Sequence, residues 1–147
     1  MVPYDSILLP TDGSETAELA TERAVDMADR HDAELHALYV AERTREEPTQ
    51  QGLEEKLARE IDEGKDVMDV IERQAAKRDV ETTTTVEPGV PRTTIEEYAD
   101  EHGIGLIVIG STGASDVTEK LLGTVAKYVV NEAPADVFVV RPDKRLR

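Results

Sequence analysis

The stretch Ile104-Gly-Leu-Ile-Val-Ile109, running directly into Gly110-Ser-Thr-Gly113, decides the fold. Its apolar residues are consecutive, not alternating, as expected of a strand buried on both faces. Sheets with both faces covered are mostly parallel, because the helices that connect parallel strands supply the cover. The glycine-bearing loop at its carboxyl end is the kind of segment that lets a backbone approach a ligand closely.

Outward from this strand, apolar runs and helical patterns alternate. Upstream, Ser6-Ile-Leu-Leu-Pro10 is a short apolar run closed by Thr11-Asp-Gly13, a first strand and turn. A helix follows from Ser14 to His31, with Ala17, Ala20, Ala24 and Ala28 on one face, widened by Val25 and Met27. Glu34 to Val40 reads as the second strand, and 42–51 as a polar loop containing Pro48. A second helix runs from Leu53 to Lys77 on Leu53, Leu57, Ile61, Met68, Ile71 and Ala75, with Gly64 as a weak point in its middle. Threonine-rich 81–86 suggests a third strand near an edge, and Pro88-Gly89 a break before a helix from Pro91 to His102. Beyond the deciding strand come a helix over 118–131 and a fifth strand, Asp136-Val-Phe-Val-Val140, with a basic tail after Arg141. The sum is one α/β domain over 1–147: a doubly wound, Rossmann-like parallel sheet of five strands with four helices.

Composition narrows the function classes. The 147 residues suit one domain, no apolar run is long enough for a membrane span, and the start lacks the pattern of a secretory signal. Absence of cysteine excludes disulfides and thiolate metal sites. A cytoplasmic location with no membrane partner is the expectation. Thirty-two acidic against 17 basic side chains give a net charge of −15, dispersed along the chain. Such a surface repels nucleic-acid phosphates and repels itself in dilute buffer, which salt screens. Arginine outnumbers lysine, and the balance resembles that of proteins from salt-accumulating halophiles; an ordinary acidic protein is the alternative.

In open parallel sheets, ligands bind beyond the carboxyl ends of the strands, where strand order reverses. Two polar clusters fall there, Pro10-Thr-Asp-Gly13 and Gly110-Ser-Thr-Gly113. With Gly123-Thr124 the second forms the pattern G-x2-G-x9-G-[S/T]. Gly110 and Gly113 permit positive φ and close backbone approach, and a helix beginning near Gly123 would present free N–H groups to an anion. The Thr124 hydroxyl would add a further donor.

That spacing resembles the ATP-binding signature of the universal stress protein family. The likeness extends along the chain, through Ile7-Leu-Leu-Pro-Thr-Asp-Gly-Ser14, His36-Ala-Leu-Tyr-Val40, Leu121-Leu-Gly-Thr-Val-Ala126 and Val137-Phe-Val-Val-Arg141. The resemblance implies the fold of the adenine-nucleotide alpha-hydrolase type, with strand order 3-2-1-4-5, and a regulatory or stress-response role, with at most slow hydrolysis of ATP. It implies that Asp12 bonds the ribose, that main-chain groups of Val40 read the adenine edge, and that Pro10 and Thr11 line the base pocket. Gly110 would approach the ribose, Gly113 the phosphates, with Ser111 and Thr112 in the same loop. Gly123, Thr124 and the Val125 N–H would cradle the phosphate tail of ATP, ADP or AMP, accompanied by magnesium or manganese. The family's last strand makes a two-fold dimer contact, here Val137, Phe138, Val139 and Val140. Such pairing also protects an apolar edge from aggregation, as covering by the tail would.

One departure stands out. The spacer carries Asp116 and Glu119 against Lys120 alone, where the family usually has several basic residues. Each acidic replacement near a triphosphate costs about 1 kcal/mol at intermediate dielectric, less in high salt. A ligand with fewer phosphates is the corresponding option.

Blander readings accompany these assignments. Asp12-x-x-Glu15 is also a capping box, and the glycines suit a backbone role alone. His31, His36 and His102 lack ligand spacing and read as surface or packing residues; Tyr4, Tyr39, Tyr98 and Tyr128 likewise. Ser14 has no base partner, and no general base is evident near the phosphates. A flavodoxin-type carrier conflicts with 3 % aromatics and no tryptophan, and a phosphoacceptor receiver with the lone Asp12 and the third-strand end Val86-Glu-Pro88. A nucleotide-free dimeric adaptor of the same fold is the main alternative.

Overall fold

A computed structural model of the chain describes residues 4–42, 49–112 and 122–142. Five strands, β1 (Ser6–Thr11), β2 (Glu34–Glu42), β3 (Thr82–Gly89), β4 (Leu106–Gly110) and β5 (Asp136–Val140), form one sheet. Its order is β3-β2-β1-β4-β5, and every pairing is parallel. Four helices connect them: α1 (Glu15–His31), α2 (Gln50–Ala76), α3 (Pro91–Glu101) and α4 (Thr124–Glu132). The expected class and strand order are therefore observed.

The sheet divides the core in two. Ile7, Leu9, Leu35, Ala37 and Val108 face α1 and α2, meeting Ala20, Ala24, Ala28, Met68 and Ile71. Leu8, Leu38, Ile107 and Ile109 face α3 and α4, meeting Ile95, Tyr98, Ala99 and Val129. Ile7, Leu8 and Leu9 are all fully buried, so β1 is enclosed from both sides, which is why its sequence does not alternate.

Local chemistry shifts several boundaries. Ser14 is the N-cap of α1, its hydroxyl accepting the Ala17 N–H at 3.2 Å, so Asp12 is not the capping residue. Thr49 caps α2 through the Gly52 N–H, so that helix begins three residues before Leu53, at Gln50. β3 continues through Pro88 and Gly89, paired with Ala41 and Glu42, in place of the expected break. A proline is tolerated there because β3 is an edge strand, with no partner on its far side among the described residues. α4 starts at Thr124 with Gly123 as N-cap; the stretch expected to begin it, 118–121, lies outside the described residues.

Gly64 is a fitted position, not a weak one. A Cβ there would stand 2.5 Å from Tyr39 Cδ1 and 3.0 Å from Val86 Cγ1, so the missing side chain lets α2 lie against β2 and β3.

Candidate functional site

The strand order reverses between β1, which pairs with both β2 and β4, and the crossovers leave on opposite faces there. The carboxyl ends of these two strands carry the clusters singled out from the sequence. At the end of β1, Pro10 is buried and Thr11 is partly exposed. The turn that follows is built by its own side chains. Thr11 Oγ1 accepts the Gly13 N–H at 3.2 Å, Asp12 Oδ1 accepts the Ser14 N–H at 3.0 Å, and Gly13 sits at φ +78°, where side chains are disfavoured. These bonds set the Asp12 carboxylate just beyond the strand end.

Val40 lies one residue past Tyr39, the β2 partner of Thr11. The Glu34 N–H bonds to Asp5 on the β1 side, and the alternation of strand groups turns Val40 the same way. Tyr39 is buried beneath this point, and burial, with Glu63, Glu60 and Asp12 nearby, raises its phenol above the ordinary range. Burial likewise raises the Glu60 carboxyl, which takes the Glu42 N–H at the end of β2.

At β4 the role of glycine is geometric. Gly110 is not among the described glycines at positive φ, contrary to the freedom expected of it. What it requires is space: a Cβ would meet Thr16 Cγ2 at 2.9 Å and the Thr16 carbonyl carbon at 3.3 Å. The first turn of α1 thereby lies directly over the end of β4. The Thr16 and Thr112 hydroxyls are 3.4 Å apart, joining the two clusters. Sequence reading did not single out Thr16 for this; its place two residues beyond the N-cap was the available signal.

Ser111 is fully buried, donates its N–H to Val140 O at 2.8 Å, and accepts the Gly123 N–H on its own carbonyl at 2.7 Å. Its hydroxyl has no hydrogen-bond partner among the described residues. The Gly123 amide is thus used inside the protein, where it brings the start of α4 to the end of β4. The N–H groups of Thr124, Val125 and Ala126 precede the first intrahelical bond, from Lys127 N–H to Gly123 O. Thr124 borders an open groove of about 650 Å³ with Arg92, Leu122, Lys127, Tyr128, Asn131 and Glu132. Arg92 stands over the Tyr128 ring at 5.8 Å, and the Tyr128 hydroxyl donates to Glu96 at 2.8 Å. Gly113 lies outside the described residues, as do 114–121 of the acidic spacer 114–122.

The described part of the site therefore joins three pieces: the β1 turn with Asp12, the end of β4, and the first turn of α4. The sequence matches a known family along nearly the whole chain, for the model of the universal stress protein family covers residues 3–141. The chain belongs to the universal stress protein family. Universal stress protein MJ0531 of Methanocaldococcus jannaschii is 32 % identical over 147 residues, 97 % of this chain and 85 % of that one. The structure of the universal stress protein UspA from Lactobacillus plantarum superimposes with a TM-score of 0.90 at 36 % identity, covering 96 % of this chain and all of that one. Two more distant members share the fold with adenine nucleotides bound. One is a universal stress protein in complex with cAMP, at 24 % identity and TM-score 0.66, covering 95 % of this chain and 98 % of that one. The other is a family protein from Arabidopsis thaliana with AMP bound, at 15 % and 0.68, covering 95 % and 93 %.

Among the described residues no helix is long and apolar enough to cross a membrane. None of their His, Asp and Glu side chains form a group of three that could hold a metal ion.

Proposed function

We propose that this universal stress protein binds an adenine nucleotide across the ends of β1 and β4 and acts as a regulatory, stress-response dimer. The observation that carries the reading is the convergence of the Asp12 turn, the Gly110–Thr112 loop and the start of α4. It is held by the Thr16–Thr112 contact and the Gly123–Ser111 bond. On this reading Asp12 receives the ribose, Pro10, Thr11 and Val40 border the base, and Thr124 and the Val125 N–H receive phosphate. Gly123 shapes the cradle by anchoring α4, not by donating to the ligand.

The residues present fit such a ligand. A helix start favours negative charge, and the Ser111 hydroxyl is a buried polar atom without a described partner. Leaving such a group unsatisfied costs about 1–3 kcal/mol, which a ligand or its water would relieve. ATP is the proposed nucleotide on the strength of the G-x2-G-x9-G-[S/T] signature, with ADP and AMP favoured to the extent that Asp116 and Glu119 oppose a triphosphate. Magnesium or manganese would be held chiefly by the phosphates, given the absence of a carboxylate cluster among the described residues.

Two further readings belong to the proposal. Among the described residues the outer edge of β5 has no partner strand, and Phe138 on that strand is 41 % exposed, which supports two-fold pairing through Val137–Val140. The net charge of −15, borne by one short chain, supports a cytoplasm rich in salt, as in a halophile. Calorimetric titration with ATP, ADP and AMP, with magnesium in concentrated salt, tests the central reading. Saturable binding of at least one supports it; silence with all three leaves a dimeric adaptor.

A further inference from the structure

Away from this site, on the α3 face of the sheet, β2 and α3 bring two histidines and a tyrosine together. His36, 8 % exposed on β2, has Nδ1 2.7 Å from the Tyr98 hydroxyl. Tyr98 is buried on α3, and the His102 ring lies stacked on it with centroids 3.8 Å apart. The two imidazoles are 5.5 Å apart, edge to face. His102 Nδ1 is 3.0 Å from the Tyr98 carbonyl, within donating distance, and the His102 N–H donates to the same carbonyl, so the ring is fixed at the end of α3.

Every neighbouring element contributes to the setting. From β2, Glu34 Oε1 lies 3.4 Å from His36 Nε2, but the same oxygen also accepts the Thr83 hydroxyl of β3 at 2.8 Å. From β3, Thr85 bonds Tyr98, and Glu87 acts on it at longer range. From β1, the register partner of His36 is Leu8, fully buried and apolar. From α3 come Tyr98 and His102 themselves. A neutral His36 satisfies this pattern completely: the Tyr98 O–H donates to Nδ1, and Nε2–H faces Glu34. A proton on Nδ1 removes the acceptor that the phenol uses. It forces Tyr98 to accept from His36 and to redirect its own proton towards Thr85, and it places a cation 5.5 Å from a second imidazole.

We infer that His36, Tyr98 and His102 form an acid-sensitive latch that fastens α3 to β2 at neutral pH and loosens it on acidification. The direction follows from linkage. Burial first, and the neighbouring His102 as well, push the His36 imidazole below its ordinary value of 6.5, against the opposing pull of Glu34. The native form therefore resists a proton that the unfolded chain accepts. The latch is complete above pH ~6.5, and stability is lost as pH falls below that value, until the native imidazole also titrates.

The test follows the His36 imidazole by NMR from pH 7.5 downward in constant salt, together with amide exchange at His102 and Ile104, whose N–H groups bond Tyr98 and Ala99. The expected result is an imidazole that stays neutral below its ordinary range. Protection of the two amides, corrected for intrinsic rates, should fall by up to about tenfold per pH unit below it, the limit for one linked proton. In His36→Gln, which keeps a polar partner for Tyr98 but cannot titrate, that fall should disappear. Titration of His36 at an ordinary value would overturn the latch, as would an identical pH profile in His36→Gln. Should the variant fail to fold, the imidazole titration of the unaltered chain decides alone.

Discussion

The hydroxyl of Thr16, in the first turn of α1, lies 3.4 Å from that of Thr112, 96 residues further along the chain. The same side chain lies so close to Gly110 that a Cβ there would stand 2.9 Å from Thr16 Cγ2. One threonine thus ties the β1 turn to the end of β4 by a polar contact on one side and by close approach on the other.

Replacing Thr16 by valine keeps the shape over Gly110 and removes only the hydroxyl. Stability should fall by about 0.5–1.5 kcal/mol, the worth of one hydrogen bond, in urea unfolding. Nucleotide affinity should fall as well, because the two halves of the proposed site lose their link. Unchanged affinity in a destabilised variant would show that the contact serves the fold alone.

Gly110→Ala should be worse than an ordinary strand substitution. The new methyl group meets the Thr16 backbone as well as its side chain, and backbone cannot step aside. The expected loss is about 1–3 kcal/mol, as for overpacked cores, read from the denaturation midpoint.

Much of this architecture was legible beforehand. The aliphatic runs of β1 and β4 and the alanine stripe of α1 gave the strands and the doubly wound class, because consecutive apolar residues mean burial from both faces, whereas the full strand order came with the family resemblance. Polar detail was harder to read. Asp12-x-x-Glu15 has the pattern of a capping box, yet the backbone path makes Ser14 the cap. Gly64 looked like a weak point and Gly110 like a source of freedom, yet what both supply is absent volume, which depends on Tyr39 and Thr16 from distant parts of the chain. The histidines likewise appeared scattered. Tyr98 and His102 share a helix face at i and i+4, but nothing local says that His36 will lie opposite them.

Gly64→Ala makes the same point in a helix. Alanine improves intrinsic helix propensity by about 1 kcal/mol, so a purely local view expects stabilisation. Its methyl group would stand 2.5 Å from the buried Tyr39 ring, and we expect net destabilisation of about 1–2 kcal/mol, since overpacking outweighs propensity. Thermal melting of the variant decides the sign.

Phe138→Arg addresses assembly. On a lone edge strand a surface arginine costs little stability and opposes strand pairing. Sedimentation should show the unaltered chain as a dimer and the variant as a folded monomer. A monomeric parent would remove β5 pairing from the account.

The proposed site is tested most directly by amide NMR of the unaltered chain, titrated with ATP or AMP and magnesium in concentrated salt. Saturating shifts centred on Thr11–Ser14, Ser111–Thr112 and Thr124–Ala126 are the predicted result. Saturating shifts centred elsewhere, with these amides unmoved, would contradict it.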